Sequence, residues 1–419
     1  MNKEIKDIQY YKFSFYGFFK NLRFFESFLI LFFLSKGVSF TQIGFLYSIR
    51  ELTIFVFEIP SGLLADAMGR RRTMITAFAF YIISFITFYF VAGFLLFALA
   101  MIIFALAEAF RSGVHKAMIF NYLQRKGWSN LKTDYYGHTR SWSQRGSALS
   151  ALIAALFVFY TGNYSVIFIA SVVPYLLDLF LVLSYPKWLD GDLRNIKTIS
   201  VKDKFLQVER GFAQTFKNIK FLKVLTSLTL YTGYYKAVKD YIQPIIKSLA
   251  LSVPFFAYLN NDKKTALFIG VFYFFIYLLT SWMSRHSGSF LKRFKNYARP
   301  LNLTLLSGFA AGMVSGTIYL AGWYFGAVLG FILILLIENL RKPIGVAAVA
   351  DLSHDHAMAT VLSVSSQMQS VFAAIIAPAI GFLADRYGLG TSIAVISASL
   401  ILLFPLYKLS SKNLLQKEV

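Results

Sequence analysis

The sequence predicts an all-α membrane protein: twelve transmembrane helices in two pseudo-symmetric six-helix bundles. Three observations carry that prediction. Of the 419 residues, 57% are hydrophobic and only 15% are charged, where a soluble domain carries roughly 25% charged residues. Apolar surface on this scale exceeds what one core can bury, so lipid is the natural solvent. The apolar residues fall into runs of about 20, the length a helix needs to cross a bilayer. The basic residues collect in alternate gaps between those runs.

Taken in order, the runs lie near 13–34, 41–63, 73–96, 97–123, 143–161, 165–185, 221–249, 265–283, 299–319, 322–342, 359–383 and 389–409. The third and fourth are nearly continuous, and Lys and Asp interrupt the seventh. The N-terminal MNKEIKDIQYYK is mixed in charge and lacks a cleavable signal pattern, so the first run is expected to be a retained span. With the N-terminus inside, the inward gaps hold Arg70, Arg71 and Arg72; Arg125, Lys126, Lys132 and Arg140; eight basic residues between 186 and 220; Arg285, Lys292, Arg293, Lys295 and Arg299; and Arg341 with Lys342. The outward gaps hold Lys36, Lys263, Lys264 and Arg386. Positive charge is retained inside during insertion. The expectation is a multi-pass protein of the cytoplasmic membrane with both termini cytoplasmic. Its parts are an N-terminal bundle over 1–186, a central cytoplasmic loop over 187–220 and a C-terminal bundle over 221–419. In that loop Phe205, Val208, Phe212 and Phe216 have helical spacing, which suits a solvated linker carrying an interfacial helix.

The formal net charge of +22 invites a nucleic-acid reading. The basic residues form no continuous face, however, and no soluble module is left to bind one. The absence of cysteine removes disulfides, thiolate catalysis and Cys-ligated metal. His354 and His356 share one gap with no third ligand nearby, so no metal is expected. No nucleophile–base pattern or phosphate loop is visible, so neither enzyme activity nor a cofactor is expected.

Internal repeats support two related halves. Glu108-x-x-Arg111 in the fourth run recurs as Glu338-x-x-Arg341 in the tenth, and the same offset sets Asn121 against Asp351. Glu26 in the first run corresponds to Asp240 in the seventh. GLLADAMG (62–69), just after Pro60, recurs as GFLADRYG (381–388), just after Pro378. By the span count these two stretches face opposite sides of the membrane, the mark of inverted-topology repeats.

Gly62, Leu63, Ala65, Asp66, Gly69, Arg70 and Arg71 resemble the signature loop between the second and third helices of the major facilitator superfamily. Ala67 stands where a basic residue is usual in that pattern. The resemblance extends to the twelve runs and the central loop, and it implies a secondary transporter. It also implies that Asp66 is similar to a latch tying the halves together on the cytoplasmic side. The latch set is then Gly62, Asp66, Gly69, Arg70 and Arg71, with Glu338 and Arg341 in the other half and a partner near Ser353 to Thr360. Without a side chain, Gly62 is expected to let two helices approach closely.

A charge at the centre of a span costs ~3 kcal/mol, so such residues usually face a cavity or a partner. Arg23 and Glu26 are three apart and are expected to share a helix face, as are Glu108 and Arg111. His115 follows Arg111 by four. Arg50 and Glu51 lie in the second run, Asp178 in the sixth, and Lys236, Lys239, Asp240 and Gln243 in the seventh. The substrate and proton cavity is expected to be built from Arg23, Glu26, Glu51, Glu108, Arg111, His115, Lys236, Lys239, Asp240 and Gln243. Static pairs that rigidify the bundle are the competing reading. The resemblance implies that Arg111 tunes a nearby carboxylate or binds anionic substrate. Glu26 or Glu108 is then the candidate proton carrier. The expected protein is a secondary active transporter moving a small organic solute by alternating access with proton coupling. Its expected partners are a small-molecule substrate, protons and membrane lipid, with the chain acting as a monomer. Drug efflux is an alternative, although the fifth run has no proline where exporters of the superfamily carry a Gly-Pro-rich signature. A non-transporting receptor or scaffold is the alternative from a different class.

Overall fold

The computed structural model describes residues 6–128, 131–190, 219–254, 256, 258–352 and 358–410. Among these residues the chain is helical, with no strand. The helices are α1 (Ile8–Lys20), α2 (Leu29–Ser35), α3 (Phe40–Met68), α4 (Arg70–Phe90), α5 (Phe94–Arg111), α6 (Val114–Arg125), α7 (Lys132–Thr161) and α8 (Val166–Leu183). There follow α9 (Ile219–Val238), α10 (Ile242–Ser252), α11 (Asn261–Leu291), α12 (Ala298–Leu320), α13 (Tyr324–Leu352), α14 (Met358–Tyr387), α15 (Leu389–Leu402) and α16 (Phe404–Tyr407). Two 3₁₀ turns cover Lys187–Asp190 and Lys239–Tyr241.

Seven helical stretches among the described residues are long and apolar enough to cross a membrane: Arg70–Phe90, Phe94–Arg125, Val166–Leu183, Asn261–Leu291, Ala298–Leu320, Tyr324–Val349 and Ser363–Tyr387. Large apolar side chains point away from the packed interior, with Leu95 80% and Ile375 65% exposed. Such surfaces suit acyl chains, and a helix satisfies its backbone without water. The proposed surface helix at Phe205 to Phe216 lies outside the described residues.

Several runs break where the sequence reads as continuous. The first run is two helices, with residues 21–28 forming a turn between α1 and α2. Arg23 and Glu26 therefore lie in that turn and do not share a helix face. The fourth run is divided at Gly113, whose φ of 73° stops α5 and starts α6; glycine takes this region without steric cost. The tenth run continues to Leu352, so Arg341 and Lys342 lie inside α13 and not in a polar gap.

The helices form two compact units. One comprises Met1–Lys36, Thr53–Val201 and Tyr258–Tyr277, the other Gly37–Leu52, Lys202–Ala257 and Leu278–Val419. The division thus falls within two helices, α3 after Leu52 and α11 after Tyr277. In the first unit α4 packs on α5 and α8, and α1 packs on α7 and α8. Its core is aromatic: Phe32 and Phe88 both pack on Phe168, with centroids 4.6 and 4.8 Å away. Small residues allow close crossings, as where Ser84 on α4 donates to the Ala100 carbonyl at 2.9 Å. In the second unit α12 packs on α13 and α15, and α9 on α14. There Ser315 donates to the Ala327 carbonyl at 2.7 Å and Ser392 to that of Ile380 at 2.6 Å.

Candidate functional site

Three of the expected residues, together with an aromatic neighbour, meet inside the first unit. Glu108 sits near the C-terminal end of α5, and the turn after α1 brings Arg23 to it across 85 residues of sequence. The Arg23 guanidinium donates to Glu108 Oε1 at 2.6 Å, and Arg111 donates to Glu108 Oε2 at 2.6 Å. All three side chains are only 17–18% exposed. Arg111 Nε also donates to the Tyr81 hydroxyl on α4 at 2.9 Å. One carboxylate thus holds two guanidinium groups from separate segments, a charge-assisted arrangement in a poorly solvated place. His115 lies beyond the Gly113 break. It stacks on Tyr16, ring centroids 3.6 Å apart, with Nε2 3.3 Å from the Tyr185 hydroxyl. Glu26 stays in the turn with Arg23, its backbone N–H donating to the Arg23 carbonyl at 3.0 Å.

A second polar centre forms inside the other unit. Glu51, 3% exposed on the first half of α3, accepts from Lys236 Nζ at 2.9 Å, from Arg50 at 3.1 Å and from the Ser370 hydroxyl at 3.0 Å. Arg50 lies over the Tyr47 ring at 4.7 Å. The Tyr47 hydroxyl donates to Asp240 Oδ2 at 3.0 Å, and Lys239 Nζ is 3.7 Å from Asp240 Oδ1. The 3₁₀ turn Lys239–Tyr241 interrupts the seventh run where these charges lie, and Gln243 is fully buried in the first turn of α10. Tyr47, Tyr81 and Ser370 are not named by the sequence reading. Tyr47 stands one helical turn before Glu51, which is a usable signal; Tyr81 and Ser370 have none.

The members of the expected latch occupy different surroundings. Glu338 accepts from the Thr232 hydroxyl at 2.9 Å. Arg341, 2% exposed, donates to the Leu301 and Ser227 carbonyls and to Thr304 Oγ1 at 3.2 Å. It therefore braces three helices instead of pairing with Glu338. In the signature loop, the Arg71 side chain donates to the Val182 and Leu183 carbonyls at 3.2 and 2.5 Å, capping the C-terminal end of α8. Arg70 reaches the Ala117 carbonyl at 3.4 Å. Asp190 Oδ1 accepts from the Arg71 backbone N–H at 2.7 Å and so caps the start of α4. Residues 353–357, the core of the expected partner segment, lie outside the described residues.

Gly62 does not mark a close helix approach: a Cβ built there would have nothing within 4 Å. Gly69 does the local work instead, with a φ of 99° and the Asp190 carboxylate 2.7 Å from where a Cβ would sit. Gly69→Ala is expected to destabilise by about 1–3 kcal/mol through backbone strain, while Gly62→Ala stays within about 0.5 kcal/mol of the parent. Thermal unfolding of the two variants decides the matter, and equal stability would remove the assignment.

The Major Facilitator Superfamily model matches residues 18–378. A stretch of 84 residues is 37% identical to an uncharacterized MFS-type transporter, YxaM, of Bacillus subtilis (strain 168), covering 20% of this chain and 21% of that protein. The match thus spans about a fifth of that relative's length. Among solved structures, the nucleoside transporter NupG superposes with a TM-score of 0.77 at 13% identity, over 96% of this chain and 100% of its own. A bacterial homologue of the human lysosomal transporter Spinster gives 0.71 at 14% identity, over 100% and 99%. A D-xylose-proton symporter gives 0.69 at 13% identity, over 96% of each chain. At these identities the likeness is one of fold.

Proposed function

The chain belongs to the Major Facilitator Superfamily, and from that premise we propose that it is a secondary active transporter carrying a small organic solute across the cytoplasmic membrane with proton coupling. In this reading the twelve apolar runs are twelve spans, both termini are cytoplasmic, and residues 1–186 and 221–419 are the two bundles. Alternating access comes from rocking of the two bundles. The 187–220 segment joins them in the cytoplasm, and Asp66 with its signature loop latches that side.

The observation that carries the proposal is the Arg23–Glu108–Arg111 bridge among apolar helices. A charge in such a place costs ~3 kcal/mol on insertion scales and marks a pathway or a partner. Here one carboxylate is shared by two cations that come from separate segments of the chain. The Lys236–Glu51–Arg50 centre supplies the same chemistry in the other unit. No nucleotide-binding segment is present in the sequence, so an ion or solute gradient is the drive.

Purified protein in liposomes containing a trapped pH dye tests this reading. Adding solutes from a metabolite panel is expected to move protons for at least one solute class. Glu26→Gln or Glu108→Gln, assayed on folded protein, is expected to keep solute exchange and lose the proton movement. Undiminished proton movement in both variants would remove the coupling; a panel with no flux in the parent protein would remove transport.

A further inference from the structure

We propose that a cavity in the first unit binds a small organic anion, with Lys20 and Arg111 as its charged floor. The inference rests on the transporter reading and names the substrate class for it. The cavity measures about 230 Å³ and lies between α1, α6 and α7. Lys20 ends α1 and Arg111 ends α5, so both cations reach it from helix termini. Lys116 and Arg140, both exposed, stand at its rim. Among the described residues no carboxylate lines it.

The charge balance is the core of the argument. Glu108, the acid nearest the floor, is engaged by Arg23 and Arg111 at 2.6 Å each. Among the described residues no ion pair reaches Lys20. Asp178 and Glu26 also interact with the Lys20 charge, but neither lines the cavity. The surface that Lys20 and Arg111 turn to the cavity therefore presents cations alone among the described residues. A ligand carboxylate or phosphate supplies the counter-charge and receives charge-assisted hydrogen bonds from both groups. The stacked Tyr16 and His115 rings and the side chain of Phe13 form an aromatic part of the wall. They offer flat apolar area to an organic body. The volume falls below the roughly 300 Å³ at which drug-sized pockets begin, so the ligand is a single ring or a short chain.

Thermal unfolding of the full-length protein, in detergent and in phosphatidylcholine nanodiscs, tests the inference. The probes are benzoate and phenyl phosphate, against their neutral counterparts benzamide and benzyl alcohol. The anions are expected to raise the melting temperature in both settings and the neutral compounds to leave it unchanged. Lys20→Gln is expected to weaken the apparent affinity about tenfold, as loss of a charge-assisted hydrogen bond does; Lys20→Arg restores most of it. Equal shifts from the neutral probes, or an unchanged affinity in Lys20→Gln, would overturn the proposal. So would stabilisation that appears only when phosphatidylglycerol is added to the nanodiscs, because the site would then take a lipid headgroup. Anion binding without solute flux in liposomes would sink the transporter reading alone. Flux of a neutral solute with no anion binding would sink the anion site alone.

Discussion

Replacing Glu108 by Gln is expected to lower the stability of the protein by about 3–5 kcal/mol, the usual cost of removing one partner from a buried ionic cluster. Two guanidinium groups, each about 17–18% exposed, lose their shared counter-charge together. The glutamine amide offers one oxygen in place of two, carries no counter-charge, and turns its NH₂ donors toward a cation that cannot accept them. Arg23→Gln is expected to cost distinctly less, because Glu108 keeps its bond to Arg111 at 2.6 Å. The ordering of the two variants is the test, read from thermal unfolding in one detergent. Equal losses would mean that the Glu108–Arg111 bond contributes nothing once Arg23 is gone, and a wild-type melting point for Glu108→Gln would remove the cluster from any structural account.

Valine at Gly44 or at Gly381 is expected to separate the first half of α3 from α14, at about 1–3 kcal/mol for each overpacked contact. A Cβ at Gly381 would lie 2.9 Å from the Thr41 Cα, and one at Gly44 would lie 2.8 Å from the Pro378 Cα. These neighbours are backbone, so neither can rotate away. The same contact is tied at its end by Asp385, which accepts from the Phe40 and Thr41 N–H groups at 2.9 and 2.8 Å and caps α3. The chain has no cysteine, so Thr41→Cys with Asp385→Cys gives a clean background for a short thiol cross-linker. Cross-linking is expected to fall several-fold when Gly44→Val or Gly381→Val is added. If transport requires this contact to form and part, solute flux falls with it. Unchanged cross-linking would show that the two helices tolerate the added volume.

The second of these contacts was half visible in the sequence. GFLADRYG resembles GLLADAMG, and the repeat points to the stretch that carries Gly381 and Asp385. What the text does not disclose is the role. Asp190, from outside the repeat, caps the helix after the first copy, while the aspartate of the second copy caps the start of α3.

The helices themselves are legible because apolar runs of about 20 residues have one stable form in lipid. The breaks are not. Nothing in apolar periodicity separates Lys20 from Leu29, because the turn between them is held by contacts from elsewhere, above all Arg23 reaching Glu108. The Glu-x-x-Arg repeat shows the limit most clearly. Glu108 and Arg111 form an ion pair, whereas Arg341 is spent on backbone carbonyls of α9 and α12. Spacing states which residues share a face, and neighbours on other helices decide what they bind. The same holds for Glu51, whose partners Lys236 and Ser370 lie 185 and 319 residues along the chain.

The 3₁₀ turn Lys187–Asp190 follows α8, and its final carboxylate fastens onto the Arg71 backbone. Anyone cutting the gene after α8, or inserting a reporter there, has to cut downstream of Asp190. A cut placed upstream would strip the start of α4 of its cap.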